Sequence, residues 1–213
     1  MGDEVGRRRY DSLRRTAQAQ ETRAEIARTA RRLFVSHGWA ATSLRDVARE
    51  AGVSVPTVYA AYQNKAGLAL ALADAADLSA GVPQLIAALD ASVDDPARQL
   101  SAMAAFDRRL FERAGDVIML MREAGRTEPQ LAAAYQGARR RADDTHRQVF
   151  ASWPATALRP GMDIQSAADV YAALCNIDVY TTLTTERGWS PGRVERWWTD
   201  ALIRELLAGS PHS

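Results

Sequence analysis

Lysine is nearly missing from this chain: Lys65 stands alone beside 26 arginines. With abundant alanine, this skew reads as a coding bias and limits what any single arginine signifies. Cysteine is equally scarce. Cys175 alone cannot close an internal disulfide, and with His37, His146 and His212 it offers no ligand spacing for zinc. No apolar run approaches the ~18 residues that cross a bilayer. The first twenty residues are polar and Arg-rich, without the apolar core of a signal peptide. Strand-like alternation, internal repeats, a nucleophile elbow and a phosphate loop are also missing. These gaps predict an all-α, cytoplasmic protein with no membrane partner, metal or cofactor, and they count against an enzyme.

What is present is ordinary for a globular protein: 213 residues, 47% hydrophobic and 25% charged, enough for one large domain or two small ones. The net charge of +1 conceals an asymmetry. Residues 1–65 hold 12 Lys and Arg against 7 Asp and Glu, whereas residues 66–213 hold 15 against 19. Positive charge gathered at one end is the footprint of a nucleic-acid contact surface, although a solvated basic face gives the same count.

Residues 1–21, with Arg7, Arg8, Arg9, Arg14 and Arg15, read as a flexible basic arm that either stays disordered or joins the first helix toward its end. From Thr22, Ile26, Ala30, Leu33 and Phe34 recur at helical spacing until His37-Gly38. A short helix follows Thr42 or Ser43, with Leu44, Val47, Ala48 and Ala51 inward. Gly52 makes a turn, Ser54 caps a third helix to about Tyr62, and Pro56 sits near its start. A longer helix begins after Asn64-Lys65 and ends near Ala80. Further helices are expected at roughly 83–91, 96–114, 116–125, 128–151, 164–187 and 191–208, with Gly115 among the breakers.

Two short helices joined by a tight glycine turn form a helix-turn-helix pattern between Ser43 and Tyr62. Ala48 and Ala51 let the helices approach, and Val47, Val53 and Val58 fix their angle. An ordinary αα-hairpin shares these features. The stretch from Thr22 to Leu68, about a quarter of the chain, also resembles the DNA-binding domain of the tetracycline-repressor (TetR) family. The likeness rests on Leu33-Phe34, Gly38-Trp39, Thr42-Ser43-Leu44, Val47-Ala48, Ala51-Gly52-Val53-Ser54, Thr57-Val58-Tyr59 and Asn64-Lys65 with Leu68.

That resemblance implies an all-α homodimer with an N-terminal three-helix helix-turn-helix domain (22–67) and a C-terminal helical ligand-binding and dimerisation domain (68–213). It implies double-stranded operator DNA and a small-molecule effector as partners, and a repressor as the function. Carried onto this sequence, the implied DNA contacts are Thr42, Ser43, Arg45, Ser54, Val55, Pro56, Thr57, Tyr59, Ala60 and Lys65. Arginine suits a guanine edge or a phosphate, hydroxyls suit phosphates, and Val55 and Pro56 suit thymine methyls. Tyr59 has the alternative of packing in the core. Ala60 and Ala61 depart from the family, many of whose members carry larger or polar side chains there; the departure leaves few polar groups to read bases.

The remainder carries no strict motif. Ligand candidates on the middle helices are Met103, Phe106, Leu110, Met119, Arg122, Tyr135, Asn176 and Tyr180, each equally readable as plain core. Asn176 and Asp178 stand out in an apolar helix, because burying them unpaired is costly. With Arg122 and Asn176 as polar anchors, an uncharged or weakly polar organic ligand is expected. Val170, Leu174, Ile177, Val194, Trp197 and Ala201 form faces suited to a dimeric four-helix bundle or to burial within one chain. Three readings follow: a ligand-gated repressor, an all-α enzyme, and an interaction module that has lost DNA binding.

Overall fold

The computed structural model describes the backbone of residues 2–79 and 81–209, and side chains within 14–76, 79 and 81–209. Helix α1 runs from Gly2 to His37. Residues 2–21 therefore extend the first helix: of the two alternatives open for the arm, it joins that helix, and from Gly2 onward rather than only toward its end. The local chemistry agrees: the Thr22 hydroxyl donates to the Gln18 carbonyl 2.9 Å away, the pattern of a residue inside a helix rather than its cap. The side chains of Arg7, Arg8 and Arg9 lie outside the described residues.

Helices α2 (Leu44–Glu50) and α3 (Val55–Tyr62) complete a three-helix unit. Ser43 and Asp46 form a reciprocal capping box on α2, and the Ser54 hydroxyl caps α3. Between them Gly52 adopts a φ of 66°, which side-chain-bearing residues resist. Ile26, Ala30, Leu33, Phe34, Leu44, Val47, Ala48, Val58 and Tyr62 close the core, as the spacing predicts.

The chain continues through α4 (Lys65–Ser79), α5 (Val82–Asp90), α6 (Pro96–Ala124), α7 (Pro129–Ala151), α8 (Ile164–Leu174), α9 (Ile177–Thr181), a π-helical turn (Thr182–Glu186) and α10 (Pro191–Leu206). Two expected boundaries are corrected. No break occurs at Gly115; α6 runs unbroken for 29 residues, about 43 Å. Ile177 Cδ1 would lie 3.0 Å from a β-carbon at Gly115, so glycine serves here as a place of close helix approach. The helix expected at 164–187 instead stops at Cys175 and restarts. Asn176 caps the new start: its carbonyl oxygen accepts from the Asp178 and Val179 amides, and its amide donates to the Ala172 and Ala173 carbonyls.

Helix α6 is shared by two apolar cores. Its C-terminal half (Ala114, Val117, Leu120, Met121, Ala124) joins Leu131 to the core of α1–α4 through Leu68, Leu72 and Ala76. Its N-terminal half (Leu100, Met103) packs with Phe150, Tyr171, Trp198 and Leu202 from α7, α8 and α10. Arg31 of α1 adds a polar tie to α6, donating to both Asp116 carboxylate oxygens at 2.7 and 2.6 Å and to the Arg113 carbonyl at 2.6 Å. Among the described residues no helix is long and apolar enough to cross a membrane.

Candidate nucleic-acid interface and ligand cavity

The end of the molecule built by α2 and α3 presents a polar surface fixed from within. Arg45, Ser43, Ser54, Pro56, Tyr59 and Ala60 are exposed there, and Val55 and Thr57 are half-buried. Tyr59 decides between its two readings: the residue is 51% exposed, so it projects outward, while Val58 and Tyr62 supply the packing of α3. The hydroxyls read as phosphate donors are already engaged locally. Ser43 donates to Asp46 at 2.5 Å, and Ser54 and Thr57 share a 2.7 Å hydrogen bond.

Two residues of the expected set face elsewhere. Thr42 is buried, and its hydroxyl bonds the Leu33 and Gly38 carbonyls at 3.2 and 3.0 Å. It therefore closes the end of α1 and has no surface for DNA. Lys65 is half-buried, with its ammonium 4.1 Å from the centroid of the Trp39 ring and donating to the Trp39 carbonyl. Burial lowers its pKa below the ordinary lysine value. As placed, it ties α4 to the end of α1 instead of reaching outward.

In the other half, α5, α6, α7 and α8 enclose a cavity of about 380 Å³. Of the eight ligand candidates, Met103, Phe106, Leu110, Tyr135 and Asn176 line it. Met119, Arg122 and Tyr180 do not. Arg122 is bound instead to both carboxylate oxygens of Asp178 at 2.8 and 2.7 Å, and Tyr180 is buried against Phe111 and Trp198. Asn176 reaches the wall only as a helix cap, with both ends of its amide occupied. The expectation of a ligand anchored by Arg122 and Asn176 loses its basis.

The chemistry of the cavity lies with residues that the sequence reading passed over. Asp107 of α6 lines it, buried, and accepts a 2.8 Å hydrogen bond from the Tyr171 hydroxyl of α8. Burial pushes the Asp107 carboxyl up to about 7, opposed by that hydrogen bond. His146 of α7 packs its ring 4.2 Å from that of Tyr171, and burial lowers its pKa to about 4. Its Nδ1 is enclosed without a hydrogen-bond partner among the described residues. Burial raises the Tyr171 hydroxyl and the Cys175 thiol well above their ordinary values, so neither ionises near neutrality. A signal for Asp107 did exist: it is an acid on the apolar stripe that runs Met103, Leu110, Phe111 along one helix.

The expected dimer faces divide. Ile177, Val194 and Ala201 are buried within the chain, which corrects their assignment to an intersubunit surface. Val170, Leu174 and Trp197 are only partly covered, and Trp197 meets Trp189 edge to face at 6.1 Å.

The fold and these two features define a helix-turn-helix protein with a separate helical, cavity-bearing half. Residues 26–72 match the family described as bacterial regulatory proteins, tetR family. The HTH-type transcriptional regulator TtgR of Pseudomonas putida is 48% identical over 63 residues, which make up 29% of this chain and 30% of TtgR. The chain resembles the TetR family over this stretch. Its match to TtgR thus spans less than a third of that relative's length.

Solved structures extend the likeness in fold to the second half. NalD, the secondary repressor of the MexAB-OprM multidrug efflux pump in Pseudomonas aeruginosa, superimposes with a TM-score of 0.72 at 24% identity, over 91% of this chain and 100% of NalD. SmeT in complex with triclosan gives 0.68 at 20% identity, over 91% and 96%. A protein from Saccharomonospora viridis in complex with choline gives 0.72 at 22%, over 89% and 99%.

Proposed function

We propose that this protein is a homodimeric transcriptional repressor, acting in the cytoplasm, that leaves its operator when a small organic molecule occupies the cavity between α5 and α8. Residues 22–67 serve as the DNA-binding domain and 68–213 as the ligand-binding and dimerisation domain, with no catalytic role. The observation that carries the reading is the joining of two features by shared helices. An outward-facing α3 with exposed Tyr59, Pro56 and Ala60 sits on a core that continues through α4 into α6, and α6 also walls the cavity.

DNA contact falls to Ser43, Arg45, Ser54, Val55, Pro56, Thr57, Tyr59 and Ala60, without Thr42 and Lys65. An operator read by two such helices needs a two-fold pair, their centres ~34–36 Å apart on B-DNA. The partly covered Val170, Leu174 and Trp197 supply the pairing face. The fold is shared with proteins that hold triclosan and choline and with a repressor of an efflux pump, which supports a small-molecule signal. The test is a mobility-shift titration against the DNA upstream of the protein's own gene. Specific retention by a dimer is expected; a folded chain that binds this DNA no better than random DNA overturns the reading.

A further inference from the structure

The geometry points to Asp107 as the counter-ion of an organic cation, so that the cavity takes an apolar molecule carrying one amine or ammonium group. This deepens the reading of the cavity as an effector site and rests on it for its regulatory meaning only.

Asp107 sits on the cavity wall, buried, with Phe106, Phe111, Tyr135 and Tyr171 among the lining rings. Among the described residues its hydrogen-bond partner is the neutral Tyr171 hydroxyl, and no cation is paired with it. Its neighbour Arg108 is turned away, bound to Glu112 at 2.6 Å and Glu195 at 2.8 Å. A carboxylate so placed pays for desolvation without a compensating charge. A bound cation supplies that charge, and aromatic faces within reach add cation–π attraction. The volume of about 380 Å³ admits a small drug-sized molecule.

The groups facing Asp107 leave the site no cation of its own at depth. From α8 come Tyr171 and Cys175, both neutral near pH 7. From α7 come Tyr135 and His146, whose imidazole stays neutral above about 4, with Arg139, Arg141 and Asp143 further along the same wall. The wall from α5 is Val82, Leu85 and Leu89; from α9 it is Ile177. On α10, packed behind α6, Glu195 is held by Arg108. Asp107 is therefore the enclosed group that changes charge around pH 7. A cation selects its ionised form, and apparent affinity scales with the ionised fraction. Affinity for a cation that cannot itself titrate should fall about tenfold from pH 8 to pH 6.

The experiment is calorimetric titration of the full chain, without DNA, using benzyltrimethylammonium, its uncharged isostere neopentylbenzene, and phenylacetate. At pH 8 the wild type should bind the cation at least tenfold more tightly than either other probe, and the advantage should shrink as the pH falls to 6. Asp107→Asn should abolish the preference and the pH dependence while leaving the isostere unaffected. The wild-type pH series stands alone if the variant does not fold. Equal or tighter binding of the isostere or of phenylacetate, a flat pH profile, or no uptake of millimolar cation overturns the assignment. Cation binding without DNA release would leave the assignment standing and sink the regulatory reading; DNA release by uncharged molecules alone would do the reverse.

Discussion

Two aspartates at opposite ends of the molecule behave in opposite ways. Asp46, at the start of α2, accepts from the Ser43 hydroxyl and amide and from Arg49, and these donors hold its carboxyl below the ordinary range. Asp107, on the cavity wall, has one hydroxyl donor and apolar surroundings, and burial drives it up to about 7. The same side chain fixes a helix end where donors surround it and waits for a partner where rings do. The helix-turn-helix end is built from partners three residues apart; the cavity joins groups 64 residues apart in the Asp107–Tyr171 pair.

The harshest break in this contrast should come at Gly67. A β-carbon there would lie 2.3 Å from the Tyr62 carbonyl oxygen, a backbone atom that cannot step aside. Gln63 already holds a φ of 65° at that corner, leaving little slack between α3 and α4. Gly67→Ala should cost about 3 kcal/mol or more in urea unfolding and abolish DNA binding. Loss of less than ~0.5 kcal/mol would show that the corner is loose.

Asp107→Asn is expected to act in the opposite direction. The folded-state value of about 7 lies above the ordinary aspartate value of 3.8, so the folded protein holds that proton more tightly. The corresponding stability is fully present below pH ~4 and is lost as the pH rises through 7. Asparagine keeps an acceptor for the Tyr171 hydroxyl and has no proton to lose. Relative to wild type, the variant should gain on the order of 2 kcal/mol between pH 5 and pH 8. A constant difference across that range would mean that Asp107 ionises freely in the fold.

Tyr59→Ala should weaken operator binding at least tenfold, ~1.4 kcal/mol. Because the residue is half exposed, thermal stability should change by less than ~0.5 kcal/mol. Normal DNA affinity in the folded variant would move the contact surface off α3. Exposure, caps and the turn at Gly52 were legible in the sequence because each depends on residues within one or two helical turns. Thr42 was misread because its acceptors, the Leu33 and Gly38 carbonyls, are exposed only once α1 ends and the chain folds back. Lys65 was misread for a similar reason, since Trp39 lies 26 residues away. The cavity was legible only in part. Periodicity finds Met103, Phe106 and Leu110 on one face, but whether such a face meets a core or a hollow depends on how α7 and α8 close over it. Arg122 looked like an anchor until Asp178, 56 residues later, took it. The divided dimer face shows the same limit: Val194 and Trp197 share a stripe, and only tertiary packing buries the first and leaves the second partly open.

A small effect on stability should accompany the most specific effect on communication. Arg31 joins α1 to α6 through Asp116, with side chains 41% and 33% exposed. Exposed pairs of this kind contribute about 0.2–1 kcal/mol, so Arg31→Met should barely move the unfolding midpoint. Yet this pair and the apolar contact of Leu72 and Ala76 with α6 both tie the ends together, and they constrain different motions. Apolar packing resists separation but tolerates sliding; a two-pronged guanidinium–carboxylate pair fixes register. If ligand-driven movement of α6 or α4 resets the spacing of paired recognition helices, the pair should carry part of the coupling, which is typically 1–3 kcal/mol in all. Operator affinity without ligand should then stay within about threefold of wild type, while the drop caused by a releasing ligand shrinks several-fold. A four-way titration of DNA and ligand against both proteins measures this directly. An unchanged ligand effect would assign the coupling to the apolar core alone. Ligand release without any change in spin-label distance between recognition helices would assign it to stiffening of the dimer.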